Sequence, residues 1–346
     1  MGDLWVARSL QLMSFMNLKT SNAPAAGARL LADVGGTNAR FAWQANAGAP
    51  IERVQVLPCA GHASLQAAVW AYLRHQNLPA PGAAAVAIAT PVSGDWVSMT
   101  NHHWSFSQAQ VREEFGWSVF RVLNDFTALA MALPHLQGAD LRQVGGTVAQ
   151  PRGPRALIGA GTGLGVSGLL PDAADGWVAV QGEGGHVTLP ATGARERQVV
   201  DGLAARHGHV SAERVLSGQG LVDVHAALCV ADGHPLPTGL TPADVTARAL
   251  QPDHADHARA RETIDLFSGW LGVVAGNLAL TLGATGGVYI GGGVVPRLGE
   301  AFDASPFRRR FEDKGRFSGY LAAIPAWVIT ATPSPALLGA AHALDR

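Results

Sequence analysis

Cysteine is nearly missing: Cys59 and Cys229 are the only two in 346 residues. Two distant thiols exclude a disulfide framework and a cysteine-based zinc site, and they point to a reducing compartment, which for this chain means the cytoplasm. Lysine is equally scarce, with only Lys19 and Lys314 among 25 basic residues. No G-x-x-x-x-G-K-[ST] occurs and no strand-borne lysine of the protein-kinase type is available. Any phosphate binding therefore rests on backbone N–H groups, helix N-termini, metal or arginine. An excess of one charge sign is also absent. A formal net charge of -1 at pH 7 gives no field to gather nucleic acid or an anionic membrane. Residues 1–28 have neither the apolar core of a signal peptide nor a spanning length, and they read as a disordered N-terminal extension, or as the product of an upstream start with Met13 or Met16 the true one.

What the chain does have is apolar residues, 48%, and 42 glycines, enough for a sizeable core and two lobes. The glycines gather at three turns. Leu30 to Trp43 reads L-L-A-D-V-G-G-T-N-A-R-F-A-W, a strand, a turn over Gly35, Gly36, Thr37 and Asn38, and a second strand. Adjacent glycines let the main chain approach a ligand closely, and unpaired N–H groups suit an anion such as phosphate. Asp33, at the strand end, suits Mg²⁺ held directly or through water beside phosphate oxygens. An ordinary hairpin with Asp and Asn as turn formers explains the same residues. The pattern returns in Ala156 to Leu170, with a turn on Gly161, Thr162 and Gly163, and again at Gly291, Gly292 and Gly293 after the run G-G-V-Y-I. Repeated half-sites suggest two similar lobes facing one phosphate group, each contributing a hairpin.

Strands alternate with helices through the first third. Helical spacing runs over Ser64 to Gln76 and Ser107 to Phe115, strands over Gly82 to Ala89 and Asp95 to Asn101, and this alternation argues for an α/β lobe. Phe120 to Leu123 then runs straight into Asn124 and Asp125 and a helix. A carboxylate at a strand-to-helix junction lies at the carboxyl edge of the sheet, where α/β proteins place ligands. Asp125 is the candidate general base for a hydroxyl attacking a γ-phosphate; equally, Asn124 and Asp125 are good helix caps. Further on, Glu183 and His186 flank two glycines that can bend both side chains towards one ligand. A ring of sugar hydroxyls suits them, and a metal pair or a catalytic dyad are the alternatives. Glu213 alone passes as a helix N-terminal acid. Gly163 to Gly168 satisfies G-x-G-x-x-G but leads into strand, so a dinucleotide reading fails its structural test. Ala260 to Leu282 reads as one long helix whose glycines allow close approach and which Gly and Asn277 interrupt too often for a membrane span. The arginine-rich Phe307 to Phe317 reads as a solvated face.

The blocks D-V-G-G-T-N-A-R (Asp33 to Arg40), N-D-F-T-A (Asn124 to Ala128), G-A-G-T-G-L-G (Gly159 to Gly165), E-G-G-H (Glu183 to His186), S-A-E-R-V-L-S-G (Ser211 to Gly218) and F-E-D-K-G-R-F (Phe311 to Phe317) together resemble bacterial glucokinases of the hexokinase/actin-like superfamily. The resemblance implies an actin-like, ribonuclease-H-like α/β fold with two lobes, each a mixed sheet flanked by helices. It implies a small lobe over 29–135 completed by a C-terminal helix in 331–346, and a large lobe over 136–330. It further implies ATP and Mg²⁺ at the three glycine turns and Asp33, Asp125 as catalytic base, and glucose bound by Asn124, Asp125, Glu183, His186 and Glu213. Closure around the sugar and a twofold homodimer follow from the same likeness. A non-catalytic sugar sensor of the ROK group shares the fold, but the helix-turn-helix and cysteine-rich motif expected of it are not in the sequence. Another hexose as acceptor, or ADP or polyphosphate as donor, stays open.

Overall fold

The computed structural model describes residues 25–332 and 334–345. These divide into two compact units, one of residues 25–132 with 334–345 and the other of Leu133–Thr332.

In the first unit β1 (Ala25–Val34), β2 (Asn38–Gln44) and β3 (Ile51–Pro58) form an antiparallel meander. β4 (Pro81–Ile88) and, after the small ladder of β5 (Trp96–Ser98) and β6 (Ser105–Ser107), β7 (Val119–Asn124) run parallel to β1. The sheet order is β3-β2-β1-β4-β7. Residues 1–24 of the expected extension lie outside the described residues, while 25–28 already belong to β1. The register shifts between Ala25 and Arg29, where Gly27 has φ 99°.

Helix α1 (Leu65–His75) starts at Ser64, whose hydroxyl accepts from Ala67 N–H. α2 (Gln108–Phe115) starts at Ser107, which accepts from Gln110 N–H and stops at Gly116 in the left-handed region. Such caps satisfy N–H groups that the first turn leaves unpaired. The strand expected over Asp95 to Asn101 shrinks to Trp96–Ser98, because the Asp95 carboxylate is drawn to Ser107 Oγ and Ala109 N–H at the start of α2. Phe41 and Tyr72 stack at 5.4 Å between sheet and helix. On the other sheet face Leu31, Ala42 and Ala85 bury against Leu337 and Ala340 of the C-terminal helix, Pro335–Ala343. α3 (Asp125–Ala132) packs on that same helix, at a point where a side chain on Gly339 would overlap the Ala128 carbonyl.

The second unit repeats the plan. β8 (Leu141–Gln143) edges a sheet in which β9 (Arg155–Ala160), β10 (Leu164–Pro171) and β11 (Trp177–Val180) form the meander. β12 (Val288–Gly291) and β13 (Ala326–Ile329) run parallel to β9. The order β11-β10-β9-β12-β13-β8 reproduces that of the first sheet with one added strand. Thus the repeated glycine turn marks a repeated architecture. Its G-x-G-x-x-G stretch lies in β10 and its turn, as the failed dinucleotide test required.

α4 (Ala194–His207), α5 (Ala212–Val215), α6 (Gly218–Ala231), α7 (Pro242–Ala249) and α8 (His257–Leu282) follow. α8 is long and apolar enough to cross a membrane, but 72% of its apolar window is buried inside the unit. Side chains at Gly272 and Gly276 would meet the Phe307 and Phe311 carbonyls, so these glycines set the close approach of the helix Phe307–Glu312. That segment is not merely a solvated face. Arg308 donates to the carbonyls of Leu321, Ala322 and Ile324, Arg310 pairs with the largely buried Glu196, and Lys314 Nζ donates to Val273 O. Packing of Phe307 and Phe311 into the core turns the cationic ends inwards, where carbonyls and a carboxylate receive them.

Candidate functional site

β1, β4 and β7 end together, with Val34 opposite Ile88 and Ile88 opposite Asn124. This parallel register brings Asp33, the turn Gly35–Asn38, Asn124 and Asp125 to one edge of the first sheet. The turn is closed by Gly35 N–H donating to Asn38 O at 2.9 Å. Among the described residues, no hydrogen bond is recorded for the N–H groups of Gly36 and Thr37. Thr37 and Asn38 are exposed, and the Gly36 Cα faces Asn101, where an added Cβ would sit 3.1 Å from Asn101 Cβ. Asp33 lies directly across from Arg40 and pairs with it through Oδ2 at 2.8 Å. Its other oxygen takes no part in that pair.

Asn124 and Asp125 do cap α3, as one reading of the sequence had it. Asn124 Oδ1 accepts from Phe126 and Thr127 N–H, and its amide nitrogen donates to Thr90 O. Asp125 Oδ1 also accepts from Phe126 N–H, at 2.9 Å, which leaves Oδ2 outside the cap. Burial pushes the Asp125 carboxyl up to about 6; the Phe126 N–H pulls it down and the Asp33 charge pushes it further up. A carboxylate that ionises near neutrality and holds one oxygen in reserve has the properties of a general base. The cap uses Asn124 Oδ1 and Asp125 Oδ1 and does not engage Asp125 Oδ2.

In the second unit the register places Gly291 beside Gly159, so the turns at Gly161–Gly163 and Gly291–Gly293 leave adjacent strands side by side. Gly161 N–H donates to Gly163 O, and Gly161 O accepts from Gly218 N–H at the start of α6, both at 2.8 Å. Thr162 is exposed. Gly292 has φ 78°, and a side chain there would overlap the Ala160 carbonyl; no other residue fits that turn without moving β9.

Glu183 precedes and His186 ends a short 3-10 turn, Gly184–His186, with His186 N–H donating to Glu183 O. Both side chains are exposed, while Gly184 and Gly185 press on Val166 and on Leu164 O of β10. The glycine pair is required for this close packing. Ala212 N–H donates to Val187 O and Thr188 bridges Ser211, which knits the E-G-G-H and S-A-E-R segments together. Glu213 is more than a helix N-terminal acid: its Oε2 accepts from Leu164 N–H at 2.9 Å. Only glycine at 163 leaves room for that carboxylate. The remaining sugar-site candidates thus abut the phosphate-turn candidates of the same unit. Among the described residues no cluster of three metal-ligating side chains occurs.

Three contacts lay beyond the reading of the sequence. The Asp33–Arg40 pair follows from hairpin register, the Glu213–Leu164 bond spans 49 positions, and Cys59, fully buried at the end of β3, reaches the first turn. Only the small residue at position 163 hinted at the second.

The comparisons with known proteins fit this geometry. The model of a family described as Glucokinase matches residues 30–346. The chain belongs to the glucokinase family. Curated glucokinases resemble it closely: that of Aromatoleum aromaticum is 54% identical over 92% of this chain and 95% of its own length. The Chromobacterium violaceum glucokinase is 52% identical over 94% and 92%. A crystal structure of glucokinase from an Antarctic psychrotroph superposes with TM-score 0.83 at 32% identity, covering 92% of this chain and 99% of that one. This glucokinase-family chain also shares its fold with a Balamuthia mandrillaris glucokinase solved in complex with glucose, at TM-score 0.74 and 18% identity.

The residues fit the groups the family implies. Unpaired N–H groups at Gly36 and Thr37 suit phosphate oxygens, and the oxygen of Asp33 outside the Arg40 pair suits Mg²⁺ beside them.

Proposed function

We propose that this chain transfers the γ-phosphoryl group of ATP to the 6-hydroxyl of glucose, giving glucose 6-phosphate and ADP. The observation that carries the reading is Asp125: a carboxyl at a sheet edge, pushed up to about 6, with one oxygen outside the helix cap. In this reading Asp125 accepts the proton of the sugar hydroxyl as its oxygen attacks, and Asn124 with Glu183, His186 and Glu213 orients the ring through its other hydroxyls. The turns at Gly35–Asn38, Gly161–Gly163 and Gly291–Gly293 hold the nucleotide by main-chain N–H groups, which replace the P-loop lysine that the chain lacks. Asp33 would hold Mg²⁺, which when bound neutralises charge on the phosphate oxygens. A cytoplasmic location and a twofold homodimer belong to the same proposal; light scattering at twice 35.9 kDa tests the second.

The test is a product assay across donors and acceptors. Purified chain with MgATP is offered glucose, mannose, fructose and N-acetylglucosamine, and then glucose is offered with ADP or polyphosphate, with products identified by ³¹P NMR. Glucose 6-phosphate formed from ATP, at a kcat/KM at least tenfold above every other pair, is the expected result. A preference for another sugar or donor contradicts it.

A further inference from the structure

Residue 59 grips the first glycine turn from behind with two hydrogen bonds. Its main-chain N–H donates to Thr37 O at 2.8 Å, and its thiol donates to Gly35 O at 3.4 Å. The side chain is completely buried, and burial pushes the thiol up, so the donor proton stays in place at neutral pH.

The two accepting carbonyls determine where the neighbouring amides face. In a trans peptide the C=O of one residue and the N–H of the next point in opposite directions within one plane. Holding Gly35 O towards Cys59 therefore turns Gly36 N–H the other way. Holding Thr37 O does the same for Asn38 N–H. Without this grip a Gly–Gly segment has wide conformational freedom, and ordering it when ligand arrives would draw on binding free energy.

We propose that Cys59 is a positioning residue for nucleotide binding: its thiol pre-orients the Gly36 amide for phosphate oxygens by clamping the Gly35 carbonyl behind it. The inference rests on the reading of this turn as a phosphate cradle, and it touches neither the sugar residues nor Asp125. The main-chain bond survives any substitution, so a side-chain variant isolates the thiol's share. Serine keeps a donor at the position, and alanine removes it.

The test compares the whole protein with Cys59→Ala and Cys59→Ser, measuring KM for MgATP, KM for glucose, kcat and thermal midpoint. In parallel, backbone ¹⁵N shifts of Gly36 and Thr37 are followed on adding the non-hydrolysable analogue AMP-PNP with Mg²⁺. Losing one neutral hydrogen bond that orders the turn should raise KM for MgATP about 3- to 15-fold in Cys59→Ala. KM for glucose and kcat should stay within about twofold, with Cys59→Ser within about threefold of the parent. Equal rises for ATP and glucose, an unchanged KM for ATP, or a serine variant as impaired as alanine would overturn the clamp. Should Cys59→Ala not fold, Cys59→Ser with a parental KM for ATP supports the donor role, and one with a KM raised as far as that of glucose refutes it. Should the two amides of the parent not shift with AMP-PNP, the cradle reading itself fails; if they shift and Cys59→Ala binds as the parent does, only the clamp fails.

Discussion

The turns at Gly35–Asn38 and Gly161–Gly163 close sheets of the same strand order, yet what stands behind each differs. The first is backed by Cys59, a buried thiol that donates to Gly35 O while its main-chain N–H donates to Thr37 O. The second is backed by the Glu213 carboxylate through Leu164 N–H, and by Gly218 N–H from the next helix. In the proposed site Glu213 also faces a sugar hydroxyl. A carboxylate has two oxygens and can serve both tasks at once, so the second turn is tied to the sugar while the first is tied to the core. The repeated strand order thus carries two glycine turns with different supports.

The variants that bear on this contrast separate by size. Asp125→Asn, which lies outside both turns, should have the largest effect, a fall in kcat of about 10²–10⁴-fold, measured in a coupled assay with glucose and ATP. The same variant should be more stable at neutral pH. Burial raises the folded-state value above the unfolded one, so the native chain binds the extra proton, and stability declines as pH rises from about 4 to about 6 and is flat beyond. Removing the charge recovers up to about 3 kcal/mol, read as a raised thermal midpoint. For the parent, kcat/KM should drop about tenfold per pH unit below about 6, where the base is protonated. A flat acid limb to pH 5 would remove Asp125 from the role.

Next in size is the second turn. Gly163→Ala puts a methyl group where the Glu213 carboxylate lies, and breaking the Leu164 bond to a charged acceptor costs about 1.5–3 kcal/mol. KM values for glucose and ATP should therefore rise together, each roughly tenfold. Cys59→Ala in the first turn should move the ATP value alone. If Gly163→Ala leaves the glucose value untouched, the two turns do not differ in the way described. Smallest is Arg40→Gln, which deletes a partly exposed pair with Asp33. Its unfolding free energy by denaturant titration should change by less than about 1 kcal/mol.

Much of this was legible in the sequence because it is local. Strand, glycine turn and strand alternate within 14 residues of each other, so apolar runs and paired glycines locate β1–β2, β9–β10 and the end of β12. Helical spacing from Ser64 and from Ser107 locates α1 and α2 for the same reason. The rest depends on partners distant in sequence. Arg308, Arg310 and Lys314 read as solvated because their acceptors, Leu321, Glu196 and Val273, come from other elements. The role of Cys59 was not legible because its contact with Gly35 requires β3 to return beside β2. That the cap at Asp125 engages only one carboxylate oxygen was hidden for another reason: spacing cannot tell which oxygen a cap occupies.

The most direct test is a crystal structure of the protein with glucose, Mg²⁺ and AMP-PNP. The carboxylate oxygen of Asp125 outside the cap is expected within hydrogen-bond reach of the glucose 6-hydroxyl, about 2.6–3.2 Å, with γ-phosphate oxygens on the Gly36 and Gly161–Gly163 amides. A 6-hydroxyl met by another base, with the Asp125 carboxylate turned away from the sugar, would contradict it.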